Sequence, residues 1–355
     1  ADLWGNDRMN DLYWHNGEMV KRPGFDTDLY FDEAMSFMKD CKKENKPFFT
    51  YVATNVPHWD WNVPEAWLKP YLDTCSRERA AFYASIGRVD HNLGRLIKFL
   101  DQEELSDNTI LIFLTDNGSD VPNKKTGYTA GMRGFKGSLY EGGHRVPCFI
   151  RGPERLLGKP RVIDAFTAHI DLLPTFIDLC QLKNTERKQH PMDGRSLRPL
   201  LEGKNAWPDR TIILHHHNGR KLRKYDKGVV LTQDWRLVIP KPGKQELYKI
   251  KNDRAQKHDI AKKTPDVVKK VLAVYDAHWK TLKPDRPLQR VIISKHATVR
   301  LSSDITAGGN PITQQSVRKA ASINPLWLLE VKKPGRFRFE VRRWPRQADP
   351  GMSAA

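Results

Sequence analysis

Three short stretches carry residues whose types and spacing could do chemistry. In Thr-Asp-Asn-Gly, residues 115–118, a carboxylate (Asp116) stands beside an amide (Asn117) directly after the apolar run Ile110–Leu114. One carboxylate oxygen and one amide oxygen suit a hard divalent ion such as Ca²⁺ or Mg²⁺, which prefers oxygen donors. Asp-Asn-Gly is also a good turn sequence in its own right, because these residues tolerate turn geometry. In "NVPHWDWNVP", His58 sits between Pro57 and Pro64, which stiffen its loop. A histidine so placed can bind an anionic ester or protonate a leaving oxygen, and it can equally be structural. In "GMRGFKGSLYEGGHRVP", Lys136 lies between Gly134 and Gly137, where small neighbours let a ligand approach closely. Its ammonium would neutralise a sulfate or phosphate oxygen, while Glu141 and Arg145 are spaced to pair and brace the loop.

These stretches need elements to hold them. "FDEAMSFMKDCKKE" places Phe31, Met35, Met38 and Cys41 on one helical face, and "PFFTYVAT" follows as a nearly all-apolar strand. "AAFYASIGRVDHNLGRLIKFLD" spaces Phe82, Ile86, Val89, Leu93, Leu96 and Leu100 by fours and threes, an amphipathic helix. "NTILIFLTDNG" and "VPCFIRGP" read as further buried strands, and "DAFTAHIDLLPTFIDLC" as a helix kinked or divided at Pro174. Strands alternating with helices, and apolar throughout, indicate a mostly parallel sheet covered on both faces. After about residue 205 the pattern changes. "GVVLTQDWRLVIP" and "QELYKI" read as antiparallel strands, and Pro265 opens a helix capped by Thr264 whose apolar face is Val268, Val271, Leu272, Tyr275 and Trp279. From 286 onward the chain reads as β-rich, with Phe337, Phe339 and Val341 on a buried face and Arg336, Arg338, Glu340 and Arg342 on a wet one.

Composition bounds the partners. The 355 residues carry 60 Lys and Arg against 42 Asp and Glu, a net charge of +18 that draws in polyanions: nucleic acid, anionic lipid, or a sulfated or phosphorylated substrate. No apolar run approaches the ~20 residues that span a bilayer. Cys41, Cys75, Cys148 and Cys180 have no C-x-x-C spacing, which argues against a zinc site or disulfide scaffold and for buried or half-buried apolar roles.

The order P-H-x-x-x-x-x-P, T-D-N-G, G-x-K-G-x-x-x-E-G-G-x-R-V-P, then "HIDLLPT", resembles the sulfatase family, the formylglycine-dependent branch of the alkaline-phosphatase-like superfamily. The match covers about residues 1–285. "RTIILHHH", "WRLV" and "ELYKIKND" correspond to the family's small C-terminal subdomain, although Asn252-Asp253 stands where Asp-Pro is commoner. The resemblance implies an α/β fold: a mostly parallel sheet flanked by helices (1–205), a small antiparallel α+β subdomain (206–285) and a basic β-rich extension (286–355). It implies Asp116 and Asn117 as ligands of one divalent ion, Ca²⁺ with Mg²⁺ as the alternative. Lys136 and His58 would then contact the sulfate, with His58 aiding the leaving alcohol. The implied activity is sulfuric ester hydrolysis on a sulfated carbohydrate or aryl sulfate, in an exported protein and with no nucleic-acid partner.

The same resemblance exposes a departure. Paired aspartates, a Cys/Ser-x-Pro-x-Arg motif that matures to formylglycine, and a Lys-x-His motif have no counterpart ahead of His58. The expectation is therefore an N-terminally truncated sulfatase, with half a metal site and no turnover of its own. Two rivals remain. A phosphoric ester hydrolase of the same superfamily would carry Asp-His at 116–117, so Asn117 counts against it. A non-catalytic polyanion- or glycan-binding protein is favoured by the charge and the missing nucleophile. Trp59, Trp61 and Trp67 are either a sugar-stacking wall or loop packing, and His215 to His217 are structural or surface residues.

Overall fold

The structure, a computed structural model, describes residues 7–58, 60–119, 128–182, 191–204, 207–216, 222–282, 291–293, 306–307, 310–311, 327 and 329–342. The chain divides into two compact units, residues 1–210 and 211–355.

The first unit opens with a hairpin, β1 (Leu12–His15) and β2 (Glu18–Lys21). Its two-residue turn, Asn16-Gly17, has positive φ at both positions, as the twist-matched hairpin turn requires. Helices α1 (Asp26–Lys43), α2 (Glu65–Leu72) and α3 (Arg77–Gln102) follow. Phe31, Ala34 and Met38 of α1 bury against Leu96 and Leu100 of α3. The pair is also locked electrostatically: Arg88 Nε donates to Asp28 Oδ1 at 2.6 Å and Asn92 Nδ2 to the same oxygen at 2.7 Å. On α3, Phe82, Val89, Leu96 and Leu100 are buried, but Ile86, expected on that face, is 42% exposed. The apolar stripe of a helix this long exceeds what its partners cover.

Residues 48–56 alternate strictly. Even positions turn inward, Phe48 and Val52 packing on the α1–α3 cluster, while Phe49 and Tyr51 are 72% and 81% exposed. This segment, expected as a strand buried on both faces, is not a hydrogen-bonded strand among the described residues. Strand β3 (Leu111–Leu114) is followed by the one-turn helix α4 (Glu141–His144) and by β4 (Cys148–Arg151). The class is α/β, with one local difference: β3 and β4 pair antiparallel, Leu111 opposite Arg151 and Leu114 opposite Cys148. Among the described residues the connection between them carries only the four-residue α4, too short for the crossover that a parallel neighbour needs.

Short helices α5 (Glu154–Leu157), α6 (Leu172–Leu179) and α7 (Arg198–Leu201) complete the unit and share a leucine cluster, Leu157, Leu197, Leu200 and Leu201. Pro174 falls in the first turn of α6, so it starts the helix instead of kinking it; no intrahelical acceptor loses its donor there. Of the cysteines, Cys41 and Cys75 are half-buried as expected, whereas Cys148 and Cys180 are exposed. Cys148 stands at the first position of β4, where only Ile150 is sheltered from solvent.

The second unit is built on a four-stranded antiparallel sheet, β5 (Ile212–His215), β6 (Gly228–Leu231), β7 (Trp235–Lys241) and β8 (Lys244–Lys249), in sequential order. Helix α8 (Pro265–Thr281) lays Val271 and Tyr275 on Val230, Leu237, Ile239 and Leu247. Thr264 precedes it as expected, but its hydroxyl donates back to Ile260 O instead of capping the helix. Residues 291–293 and 329–331 form a parallel pair. Beyond it, 334–342 has no ladder partner among the described residues; Phe337, Phe339 and Val341 are 37%, 64% and 60% exposed, so the expected buried face is not covered. No helix among the described residues is long and apolar enough to cross a membrane.

Candidate functional site

Asp116 and Asn117 lie on the bend that ends β3, Asp116 exposed and Asn117 half-buried. Three contacts fix that bend. Thr115 Oγ1 donates to Asn117 O at 3.2 Å, Gly118 N–H donates to Gly143 O at 3.0 Å, and His169 Nε2 donates to Thr115 O at 2.7 Å. Because a carbonyl only accepts, the last contact sets the proton of His169 on Nε2.

The glycine-rich segment is sewn to the same bend through its backbone. Lys136 N–H donates to Ser119 O at 3.0 Å, and Gly142 N–H to Arg133 O at 2.8 Å. Gly134 and Gly137 flank Lys136 with φ of 82° and 79°, values that a residue with a β-carbon adopts only at a cost. Close approach matters as much as φ here. A β-carbon on Gly118 would fall 1.8 Å from Gly142 O, one on Gly142 2.3 Å from Gly134 O, and one on Gly143 2.3 Å from Ser138 O. Only glycine permits backbone against backbone at these points. Glu141, 1% exposed, anchors the turn by accepting from Arg145 Nη1 at 3.2 Å and facing His144 Nε2 at 3.3 Å, so the expected Glu141–Arg145 brace is present. Arg133 stacks over the Tyr140 ring, 3.8 Å from its centroid.

His58 is exposed at the tip of its loop. Its N–H donates to Asn55 O at 3.0 Å, and its carbonyl accepts from Arg8 Nη2 at 3.1 Å. Val56, two residues earlier, shares a buried cluster with Phe25 and Val89, and Phe113 of β3 packs against that cluster. The His58 loop and the strand that carries Asp116 thus rise from one patch of core. Trp61 and Trp67, left open between sugar stacking and packing, are packing residues. Trp61 meets Phe82 edge-on and donates from Nε1 to Pro57 O at 2.8 Å, while Trp67 meets Phe25 edge-on with the Arg88 guanidinium 4.4 Å from its ring centroid. Trp59 lies outside the described residues.

Behind the bend sits a buried ion pair whose carboxylate is fully engaged. Arg210 Nη1 donates to both carboxylate oxygens of Asp171 at 2.6 and 2.7 Å, and Asp171 also accepts the N–H groups of Ala168 and Arg195. It holds "HIDLLPT" so that His169, two residues earlier, reaches Thr115. Sequence reading marked that motif but not His169, Arg210, Arg8 or Asp26. His215 packs against Tyr275 and Trp279 and stacks on His278, a packing role as expected; His217 lies outside the described residues.

The Asp116–Asn117 pair offers two adjacent oxygen donors, a set that fits a hard divalent cation better than a soft one. Among the described residues no group of three or more His, Cys, Asp or Glu converges to hold a metal ion. The pair is a partial donor set.

The chain is similar to known proteins along most of its length. Residues 1–182 match the sulfatase family model, and residues 134–278 match the model described as N-sulphoglucosamine sulphohydrolase, C-terminal. An uncharacterized sulfatase of Escherichia coli (strain K12), YdeN, is 27% identical over 321 residues, covering 80% of this chain and 55% of that protein. An arylsulfatase of Clostridium perfringens is 26% identical over 277 residues, covering 66% of this chain and 54% of that protein. The crystal structure of Ps i-CgsB superposes with a TM-score of 0.68 at 27% identity over 76% of this chain and 58% of that one; the same protein has been solved in complex with k-i-k-neocarrahexaose. The chain therefore spans a little over half the length of these relatives. The solved neighbours share the alkaline-phosphatase-like fold. The family generally uses a metal ion and a formylglycine. With the sulfatase family model matching more than half its length, this chain belongs to the sulfatase family.

Proposed function

We propose that the chain carries one side of a sulfuric ester hydrolase site that acts on a sulfated carbohydrate. In this reading Asp116 and Asn117 hold one divalent cation, Ca²⁺ in preference to Mg²⁺, because a carboxylate and an amide on a solvent-facing bend suit a large, flexible oxygen shell. The cation would supply charge neutralisation to the sulfate. Lys136 contacts a sulfate oxygen as a point charge, and His58 contacts the sulfate and gives a proton to the sugar oxygen as its bond to sulfur breaks, so that the sugar leaves as the free hydroxyl. The observation that carries the reading is the backbone seam between residues 118–119 and 136–143, which ties Lys136 to the Asp116 bend without using either side chain. The carbohydrate class is supported by the N-sulphoglucosamine sulphohydrolase C-terminal model and by the oligosaccharide held by Ps i-CgsB. A phosphoric ester hydrolase fits less well, since the bend offers one carboxylate and no histidine to a second metal.

Calorimetry on the 355-residue chain tests this with CaCl₂ and N-acetylglucosamine 6-sulfate. Asp116→Ala should abolish Ca²⁺ binding. Lys136→Ala should keep it while weakening the sulfated sugar by ~10-fold or more, as loss of a charged contact does. Equal affinity for unsulfated N-acetylglucosamine, or Ca²⁺ binding indifferent to Asp116, would sink the reading.

A further inference from the structure

We propose that Arg8 is a positioning residue for His58, holding the imidazole loop through a guanidinium clamp anchored on Asp26. Arg8 is 6% exposed, and each face of its fork is used. Nη1 donates to Asp26 Oδ2 at 3.1 Å, Nη2 to His58 O at 3.1 Å and Nε to Asp60 O at 3.2 Å. One side chain thus joins three parts of the chain: the segment before β1, the start of α1 and the loop that bears His58. Asp26, fully buried, is itself oriented. Its Oδ1 accepts from Thr27 Oγ1 at 2.9 Å, and its Oδ2 also accepts from Asn55 Nδ2 at 3.2 Å. Asn55 in turn supplies the carbonyl that accepts the His58 N–H. The carboxylate therefore reaches His58 by two routes, through Arg8 to its C=O and through Asn55 to its N–H.

The backbone of Arg8 points the same way. Its φ is 82°, a conformation that side-chain-bearing residues seldom take and that persists only where surroundings impose it. The surroundings do so here: Arg8 N–H donates to Asp11 Oδ2 at 3.0 Å, and Arg8 O accepts the Asp26 N–H at 2.9 Å. A clamp whose only task was to fix the start of the chain onto α1 would need the Asp26 contact alone. The two further donors go to main-chain carbonyls on either side of residue 59, at the base of the exposed imidazole. Charge-assisted donors to a carbonyl are the strong class of hydrogen bond, and the planar fork sets direction as well as distance. Lysine at this position would keep the charge opposite Asp26 but could not serve both carbonyls.

The inference rests on His58 as a sulfate contact, and its test separates the two ideas. The histidine side-chain NMR spectrum of the 355-residue chain is recorded, with the His58 signal assigned by His58→Gln, alongside calorimetric binding of N-acetylglucosamine 6-sulfate. Folded Arg8→Lys, checked by circular dichroism, should shift or split the His58 signal. It should also lower affinity by ~10-fold, about 1.4 kcal/mol. In the His58→Gln background the same substitution should cost no further affinity. Asp26→Asn, which loosens the anchor while leaving the guanidinium, carries the test if Arg8→Lys does not fold. An unmoved His58 signal in a folded variant overturns the clamp, whatever the sugar does. A moved signal with no sugar binding by the parent chain upholds the clamp and overturns the sulfate role.

Discussion

Gly118 and Gly142 meet backbone to backbone: a β-carbon on the first would lie 1.8 Å from the carbonyl oxygen of the second. Gly118→Ala should therefore push the Asp116 bend off the Lys136 segment and cost about 1–3 kcal/mol, the usual scale of overpacking. Gly94 is the internal control. It is an exposed glycine in α3 with nothing within 4 Å of its would-be β-carbon. Gly94→Ala should stabilise by about 0.5–1 kcal/mol through helix propensity. Urea midpoints of the two variants, read against the parent, should move in opposite directions.

The buried Asp171–Arg210 pair predicts a large asymmetric loss. Arg210→Ala strands a fully buried carboxylate and should destabilise by about 3–5 kcal/mol. Arg77→Ala, which breaks an exposed pair with Glu65, should leave the thermal midpoint within error. A small effect at Arg210 would mean that water takes its place behind the bend.

Acid should destabilise both units. Hydrogen bonds from Ser196 and then Arg198 hold Asp178 below its ordinary value of 3.8. Burial, the largest single influence on Asp276, pushes that carboxyl up, but Lys224 and Tyr225 together outweigh it and the net shift is also downward. A carboxyl depressed in the folded state adds stability that is full above the unfolded pKa and is lost as pH falls through the folded one. The window is therefore below about 4. Asp11 has the opposite sign: burial, and then Asp7, raise it, so its contribution is present below 3.8 and disappears as pH rises through the raised value. Denaturant midpoints between pH 2 and 6 for the parent and for Asp178→Asn should converge at the acid end.

Phe49 and Tyr51 stand outward in a row whose inner neighbours are packed. Such a row invites association through its apolar side. Phe49→Lys combined with Tyr51→Lys should reduce binding of the dye ANS and slow aggregation. Stability should fall by about 0.5–1.5 kcal/mol, the scale of the edge contact between Phe49 and Phe176 that is lost.

The α1 and α3 faces, the antiparallel sheet with α8 across it, and the Glu141–Arg145 brace were legible because each follows from a period of 3.6 or 2, or from an i,i+4 spacing. The motif order put the four candidate residues, His58, Asp116, Asn117 and Lys136, on three loops. What the sequence could not reveal lies between residues far apart: Arg8 to His58, Asp171 to Arg210, His169 to Thr115. No periodicity links such positions, and a buried arginine looks like a surface one until its acceptors are known. Residues 47–54 read as a strand and form none for a related reason. Apolar content shows that a segment prefers to be covered, while its neighbours decide whether it is.

The glycine seam has one more implication, which concerns entropy. Side chains that line an anion site usually surrender rotamer freedom when the ligand arrives, at about 0.5–1.5 kcal/mol each. A wall joined by main-chain contacts at Gly118, Gly134, Gly142 and Gly143 has no such rotamers to freeze. For any ligand that meets this surface, that part of the ordering cost is met when the chain folds.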